Sequence, residues 1–167
     1  MLISQTAEYA IRAMSAIATL PEGTKIRATD LGSGTGVPAP YLSKILRRLV
    51  LAGLLVSQKG QGGGFSLSRP AAEIPFIDIL NAIDAFPTDG RCAFGWGNCD
   101  QLSPCPLHGA WSRLNQKIQD WANQTNLAEV AKAAQGDQRV DLFPELRGSD
   151  LDRSPTRTGA GDSPSNR

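Results

Sequence analysis

The sequence predicts a mainly α-helical fold: a winged helix-turn-helix with a small β-hairpin wing, followed by a long dimerisation helix. Three observations carry this. Leu42, Ile45, Leu46 and Leu49 recur at i, i+3, i+4 and i+7, the spacing of one buried helix face. The stretch LLVSQKGQGGGFSLS after Gly53 sets two short runs of strand character around a glycine-rich turn. Leu107, Trp111, Leu114, Ile118 and Trp121 are separated by 4, 3, 4 and 3 residues, a heptad-like seam for pairing with another helix.

In chain order, Ser4 is placed to cap a first helix whose buried side carries Ala10, Ile11, Met14, Ile17 and Ala18, and Pro21-Glu22-Gly23 ends it. A short helix over Thr29 to Ser33 leads into the turn Gly34-Thr35-Gly36-Val37. Pro40 stands where the first turn of the next helix, Pro40 to Ala52, tolerates proline. The apolar face of that helix is opposed by Tyr41, Lys44 and Arg48, with Arg47 beside them. The glycines at 60, 62, 63 and 64 supply the backbone freedom of a tight reversal, with Lys59 near the hairpin tip. Asn126, with Glu129 three residues on, is placed to cap a final short helix.

This order divides the chain into residues 1–70, a winged helix-turn-helix region; 71–134, a cysteine loop with the pairing helix; and 135–167, a tail. The tail is rich in Gly, Ser, Pro, Asp and Arg, and buries too little apolar surface to offset its ordering entropy, so it is expected to be disordered. Within it, VDLFPEL is a candidate short docking stretch.

With 41% hydrophobic and 20% charged residues, the composition is that of an ordinary globular chain, and no apolar run approaches the length of a membrane span. Glu8 and Arg12 interrupt the apolar N-terminus and no cleavage site follows, so a signal peptide is not expected and the protein is expected to be cytoplasmic. The net charge of +1 conceals an asymmetry. Residues 1–70 hold eight Lys/Arg against three Asp/Glu, whereas residues 71–135 hold four against seven. A cationic first half points to an anionic partner. For double-stranded DNA, the helix from Pro40 offers cations for phosphates and polar groups for base edges in Tyr41, Ser43, Lys44, Arg47 and Arg48, and Lys59 on the wing can reach the backbone or a minor groove. The plainer alternative, a merely solvated helix face, is disfavoured because the winged order, the charge asymmetry and the pairing helix agree with one another.

GSGTG has no strand before it and GQGGG no Lys-Ser/Thr after it, so both glycine runs are turns and not phosphate loops. No base, nucleophile or phosphate loop assembles outside the cysteine loop, which argues against an enzyme. That loop, RCAFGWGNCDQLSPCPLH, holds all three cysteines and the single histidine of the chain. An odd number of clustered thiols is a poor disulfide framework in a cytoplasmic protein, and thiolates with imidazole are soft metal donors. Cys92, Cys99, Cys105 and His108 would satisfy tetrahedral zinc, yet the spacing C-x6-C-x5-C-x2-H is wide for a zinc knuckle and suits an iron–sulfur cluster better.

QTAEYAIRA, YLSKILRRLVLAGLLVSQKGQGGGFSLSRP and the loop ending in CPLH together resemble the iron–sulfur and redox-sensing winged-helix regulators, a family that includes IscR, NsrR, RirA and CymR. The resemblance spans residues 1–133. It implies a homodimeric DNA-binding regulator, expected to be a repressor, in which a 2Fe-2S or 4Fe-4S cluster senses iron, redox state or nitric oxide. It further implies Cys92, Cys99 and Cys105 as ligands, with the fourth supplied by His108 or by Glu8 of the first helix. Family members carrying a glutamate in the recognition helix are matched here by Ser43, and Pro38 and Pro40 replace polar residues, so operator sequence does not transfer. Two other readings remain: a zinc- or thiol-based regulator without iron, and a cluster carrier or electron-transfer protein reusing the fold.

Overall fold

The computed structural model describes residues 3–85, residue 96 and residues 104–135. Among them, six helices and one antiparallel hairpin surround a single apolar core.

Helix α1 (Gln5–Ala18) begins as its cap predicts: the Ser4 Oγ accepts the Ala7 N–H at 3.2 Å. Ala7, Ala10, Ala13, Met14, Ala16 and Ile17 are buried, while Ile11 and Ala18 are only half-buried. Small alanines let four other helices close on α1, which makes it the axis of the fold. Helix α2 (Ala28–Thr35) is longer at both ends than the sequence suggested, and Gly36, at φ +66°, ends it in the left-handed conformation that glycine adopts without strain. The buried Thr35 hydroxyl donates to the Leu31 carbonyl at 2.6 Å.

Helix α3 (Ala39–Leu51) carries prolines at its start and buries Leu42, Ile45, Leu46 and Leu49 to 2% exposure or less. Each such side chain contributes about 1.5–3 kcal/mol. A short turn, closed by Leu54 N–H on the Leu49 carbonyl at 2.9 Å, leads into the hairpin. Strand β1 (Leu55–Gln58) pairs antiparallel with β2 (Gly64–Leu67), Leu55 opposite Leu67 and Gln58 opposite Gly64. A third participant, not expected from the sequence, joins the hairpin: Ile26 exchanges two backbone hydrogen bonds with Phe65, at 2.8 and 3.0 Å. This close approach needs glycine next door, since a Cβ on Gly64 would lie 2.6 Å from the Ile26 carbonyl oxygen.

A 3-10 turn at Ala71–Glu73 follows, and then helix α4 (Phe76–Ala82), which buries Phe76, Ile79 and Leu80. Arg69 fastens the end of the wing to α4 through Asp78 at 2.5 Å and to the 3-10 turn through the Glu73 carbonyl at 3.0 Å. Helix α5 (His108–Gln124) and helix α6 (Leu127–Gln135) complete the described chain. The final cap is as expected: the Asn126 Oδ1 accepts the N–H groups of Ala128 and Glu129 at 3.0 and 3.1 Å, and its amide donates to Glu129 at 2.9 Å. Backbone bonds Phe76 N–H to Thr125 O and Leu127 N–H to Ile74 O clip the α5–α6 junction to the start of α4. Helices α4 and α6 both pack on α1, so the described residues of the second region share a core with those of the first.

Helix α5 is the exception to the burial. Only Ala122 is buried along it, and Leu107, Leu114 and Trp121 of the seam are 40%, 37% and 43% exposed. Trp121 also meets Phe76 edge-on, ring centres 5.3 Å apart. Among the described residues no helix is long and apolar enough to cross a membrane. Of the tail expected over 135–167, Gln135 instead closes α6, whose helical turn extends one residue further than the sequence suggested, and residues 136–167 lie outside the described residues.

Candidate nucleic-acid interface and cysteine loop

The core leucines fix which way α3 faces. With Leu42, Ile45, Leu46 and Leu49 pressed inward, Tyr41, Ser43, Lys44 and Arg47 are all exposed on the outer side. Neither Lys44 nor Arg47 forms an ion pair with a described residue, and Lys59 in the wing turn is likewise exposed and unpaired within that set. Ser43 returns its hydroxyl to the Ala39 carbonyl at 3.0 Å, a bond that an incoming acceptor or donor can replace because the site is open to solvent. Arg48 differs from its neighbours. It is half-buried and turned toward α4, where Nε donates to the Ala82 carbonyl at 3.2 Å and the guanidinium pairs with Asp84.

Tyr41 stands at the N-terminal end of this face, against α1. Its ring meets Tyr9 edge-on at 5.9 Å and 68°, and the Arg12 guanidinium lies 5.9 Å from the Tyr9 ring centre. Arg12 in turn donates to the Thr35 carbonyl at 3.3 Å and pairs with Glu8. One arginine thus ties α1 to the turn that precedes α3. Neither Tyr9 nor Arg12 was expected at this site, since Tyr41 and Thr35, which they meet here, lie 32 and 23 positions away.

The metal candidates are distributed unevenly. Cys105, half-buried, sits in the turn before α5, and its carbonyl accepts the His108 N–H at 2.9 Å, so Cys105 and the first residue of α5 are brought together in one turn. Glu8 projects from α1, with one carboxylate oxygen engaged by Arg12. Cys92 and Cys99 lie outside the described residues. Among the described residues no three His, Cys, Asp or Glu side chains converge, and the fit to a metal rests on donor type: a thiol and an imidazole one turn apart.

Residues 3–133 match the family described as Rrf2, iron-dependent transcriptional regulators. The chain belongs to the Rrf2 family. Relatives of this Rrf2 protein include Rv1287 of Mycobacterium tuberculosis H37Rv, itself named only by inference as an HTH-type transcriptional regulator. It is 33% identical over 92% of this chain and 95% of its own. IscR of Cronobacter sakazakii is 28% identical over 78% of this chain and 80% of its own. Among solved structures, oxidised CymR of Staphylococcus aureus is 26% identical, with a TM-score of 0.61 over 79% of this chain and 97% of that one. IscR of T. potens, at 21% identity, shares the fold with a TM-score of 0.65 over 81% and 89% of the two chains. The winged-helix, mainly helical architecture expected from the sequence is therefore the architecture of this Rrf2 chain, and transcription regulation is the work of its named relatives.

Proposed function

We propose that this Rrf2 protein is a homodimeric regulator that binds double-stranded operator DNA through α3 and the wing and is switched by an iron–sulfur cluster. The observation that carries the DNA reading is the outer face of α3, where Tyr41, Ser43, Lys44 and Arg47 are presented together by a helix whose other side is locked into the core. A helix so held can enter a major groove, Lys44 and Arg47 meeting phosphates or guanine edges and Ser43 a base edge, while Lys59 reaches the neighbouring backbone. The exposed α5 seam supports a second copy as the pairing partner, which would set the two recognition helices at a fixed spacing.

A cluster held by Cys92, Cys99 and Cys105, with His108 or Glu8 as fourth ligand, would supply reversible redox and ligand-exchange chemistry. In this chain Cys105 would anchor such a ligand set to the root of α5, and Glu8 could enter it through the carboxylate oxygen that Arg12 does not engage. The likeness to oxidised CymR favours one second reading, thiol chemistry at the same cysteines without iron, with zinc as its structural variant.

The test is anaerobic purification of the wild type and of Cys99→Ala, His108→Ala and Glu8→Ala, measuring iron, sulfide and the visible spectrum. A brown protein with matching iron and sulfide, bleached in Cys99→Ala, supports the cluster; a colourless, zinc-loaded or metal-free protein supports the second reading. In parallel, Lys44→Ala and Arg47→Ala are each expected to weaken duplex DNA binding about tenfold and to flatten its salt dependence by about one unit per subunit, about two for the dimer. Unchanged binding in both would move the DNA contact away from α3, and absence of duplex binding by the wild type would leave a cluster carrier as the surviving alternative.

A further inference from the structure

Of the cations on α3, Arg48 is the one whose surroundings do not look like a DNA contact. Helix α4 ends in a two-bond cap: the Ala85 N–H returns to the Leu80 carbonyl at 2.9 Å and the Asp84 N–H to the Asn81 carbonyl at 3.1 Å. This cap requires a left-handed residue at Asp84, and Asp84, at φ +50°, is the sole non-glycine with positive φ among the described residues. Glycine would fill the position without strain but would have no carboxylate. The carbonyl of Ala82, the last residue of α4, is taken by Arg48 Nε at 3.2 Å, and the Asp84 carboxylate holds the same guanidinium. A cation at a helix C-terminus is also favoured by the helix dipole. Arg48 therefore grips both a backbone carbonyl and a side chain at the end of another helix, using the planar fork that distinguishes arginine from lysine.

We infer that Arg48 is a positioning residue, one that sets the orientation of α3 by capping α4 together with Asp84, and that it is not one of the phosphate contacts. The leucines of α3 fix its depth and facing; Arg48 fixes the C-terminal end of the helix against a neighbour that the wing also touches through Arg69 and Asp78. In the sequence Cys92 follows eight positions after Asp84, so the contact joins α3 to the last described turn before the cysteine loop. The inference rests on the proposed DNA-binding reading.

The experiment compares binding of the full-length protein to a duplex that the wild type has selected from a random-sequence pool, read by fluorescence anisotropy over a series of KCl concentrations. The variants are Arg48→Gln, Asp84→Asn, the two combined, and Arg48→Lys, with Lys44→Gln and Arg47→Gln as phosphate-contact references. For a positioning pair, Arg48→Gln and Asp84→Asn each weaken binding by a similar factor, about three- to tenfold, and the double variant is no weaker than the poorer single. Their salt slopes match the wild type, and Arg48→Lys does not recover full affinity. The inference is overturned if Arg48→Gln lowers the slope by about one unit per subunit, Arg48→Lys restores it and Asp84→Asn leaves binding unchanged or tighter, the pattern of a phosphate contact. If Lys44→Gln and Arg47→Gln both keep wild-type affinity and slope, the reading of α3 as the DNA-contacting helix fails and takes this inference with it. Circular dichroism melts identify any variant that unfolds, and Asp84→Asn with Arg48→Lys carries the comparison if Arg48→Gln is one of them.

Discussion

Helices α3 and α5 are both amphipathic, yet they end up in opposite situations. The apolar stripe of α3 lies at 2% exposure or less, whereas Leu107, Leu114 and Trp121 along α5 retain 37% to 43% of their surface. The difference teaches what each apolar face is for. The stripe on α3 is consumed by the chain's own core, which leaves only its cationic side for an outside partner. On α5 three of the five seam residues are left over while Trp111 and Ile118 are half-buried, and an exposed apolar strip of this kind is characteristic of an association surface.

Substitutions can break this contrast at either end. The largest effect on folding is expected from Leu49→Ala on α3, which removes a fully buried side chain and should lower unfolding free energy by about 2–5 kcal/mol in a urea titration. Leu114→Glu on α5 should leave that unfolding free energy of the isolated chain nearly unchanged, but weaken self-association by about tenfold or more in sedimentation equilibrium, because it puts a charge in the centre of the seam. A loss of chain stability as large as that of Leu49→Ala would mean that the α5 seam belongs to the core after all. The smallest expected effect is Asn126→Ala, at about 1 kcal/mol in thermal melts, since it removes the cap of α6 without opening a cavity.

What the sequence made legible follows the same divide between local and distant. Ser4 as a cap, the i, i+3, i+4, i+7 stripe of α3, the glycine hairpin and the Asn126–Glu129 cap are all decided within a few residues, and the structure has each of them. Helix α4 went unread because it is only seven residues long, although Pro75 and the spacing of Phe76, Ile79 and Leu80 mark it once its partners are known. The Ile26–Phe65 bridge is a single residue pair, too short to leave any periodicity. At the candidate site, the exposure of Lys44 and Arg47 was predictable from the helix they share with the leucine stripe. The capture of Arg48 was not, because its partner Asp84 lies 36 positions away and has an unusual backbone conformation that its residue type does not announce. For the cysteine loop, the sequence supplied donor types and spacing, and the described structure adds the turn that joins Cys105 to His108.

The clip between the α5–α6 junction and the start of α4 has a consequence of its own. Thr125 and Phe76 are held together by a backbone bond of 2.9 Å, and Leu127 and Ile74 by one of 3.1 Å, so the C-terminal foot of α5 and the start of α4 are pinned to each other and to the core. Helix α5 is therefore a lever fixed at that foot: whatever grips its exposed side chains bears on α4, which itself packs on α1 and α3.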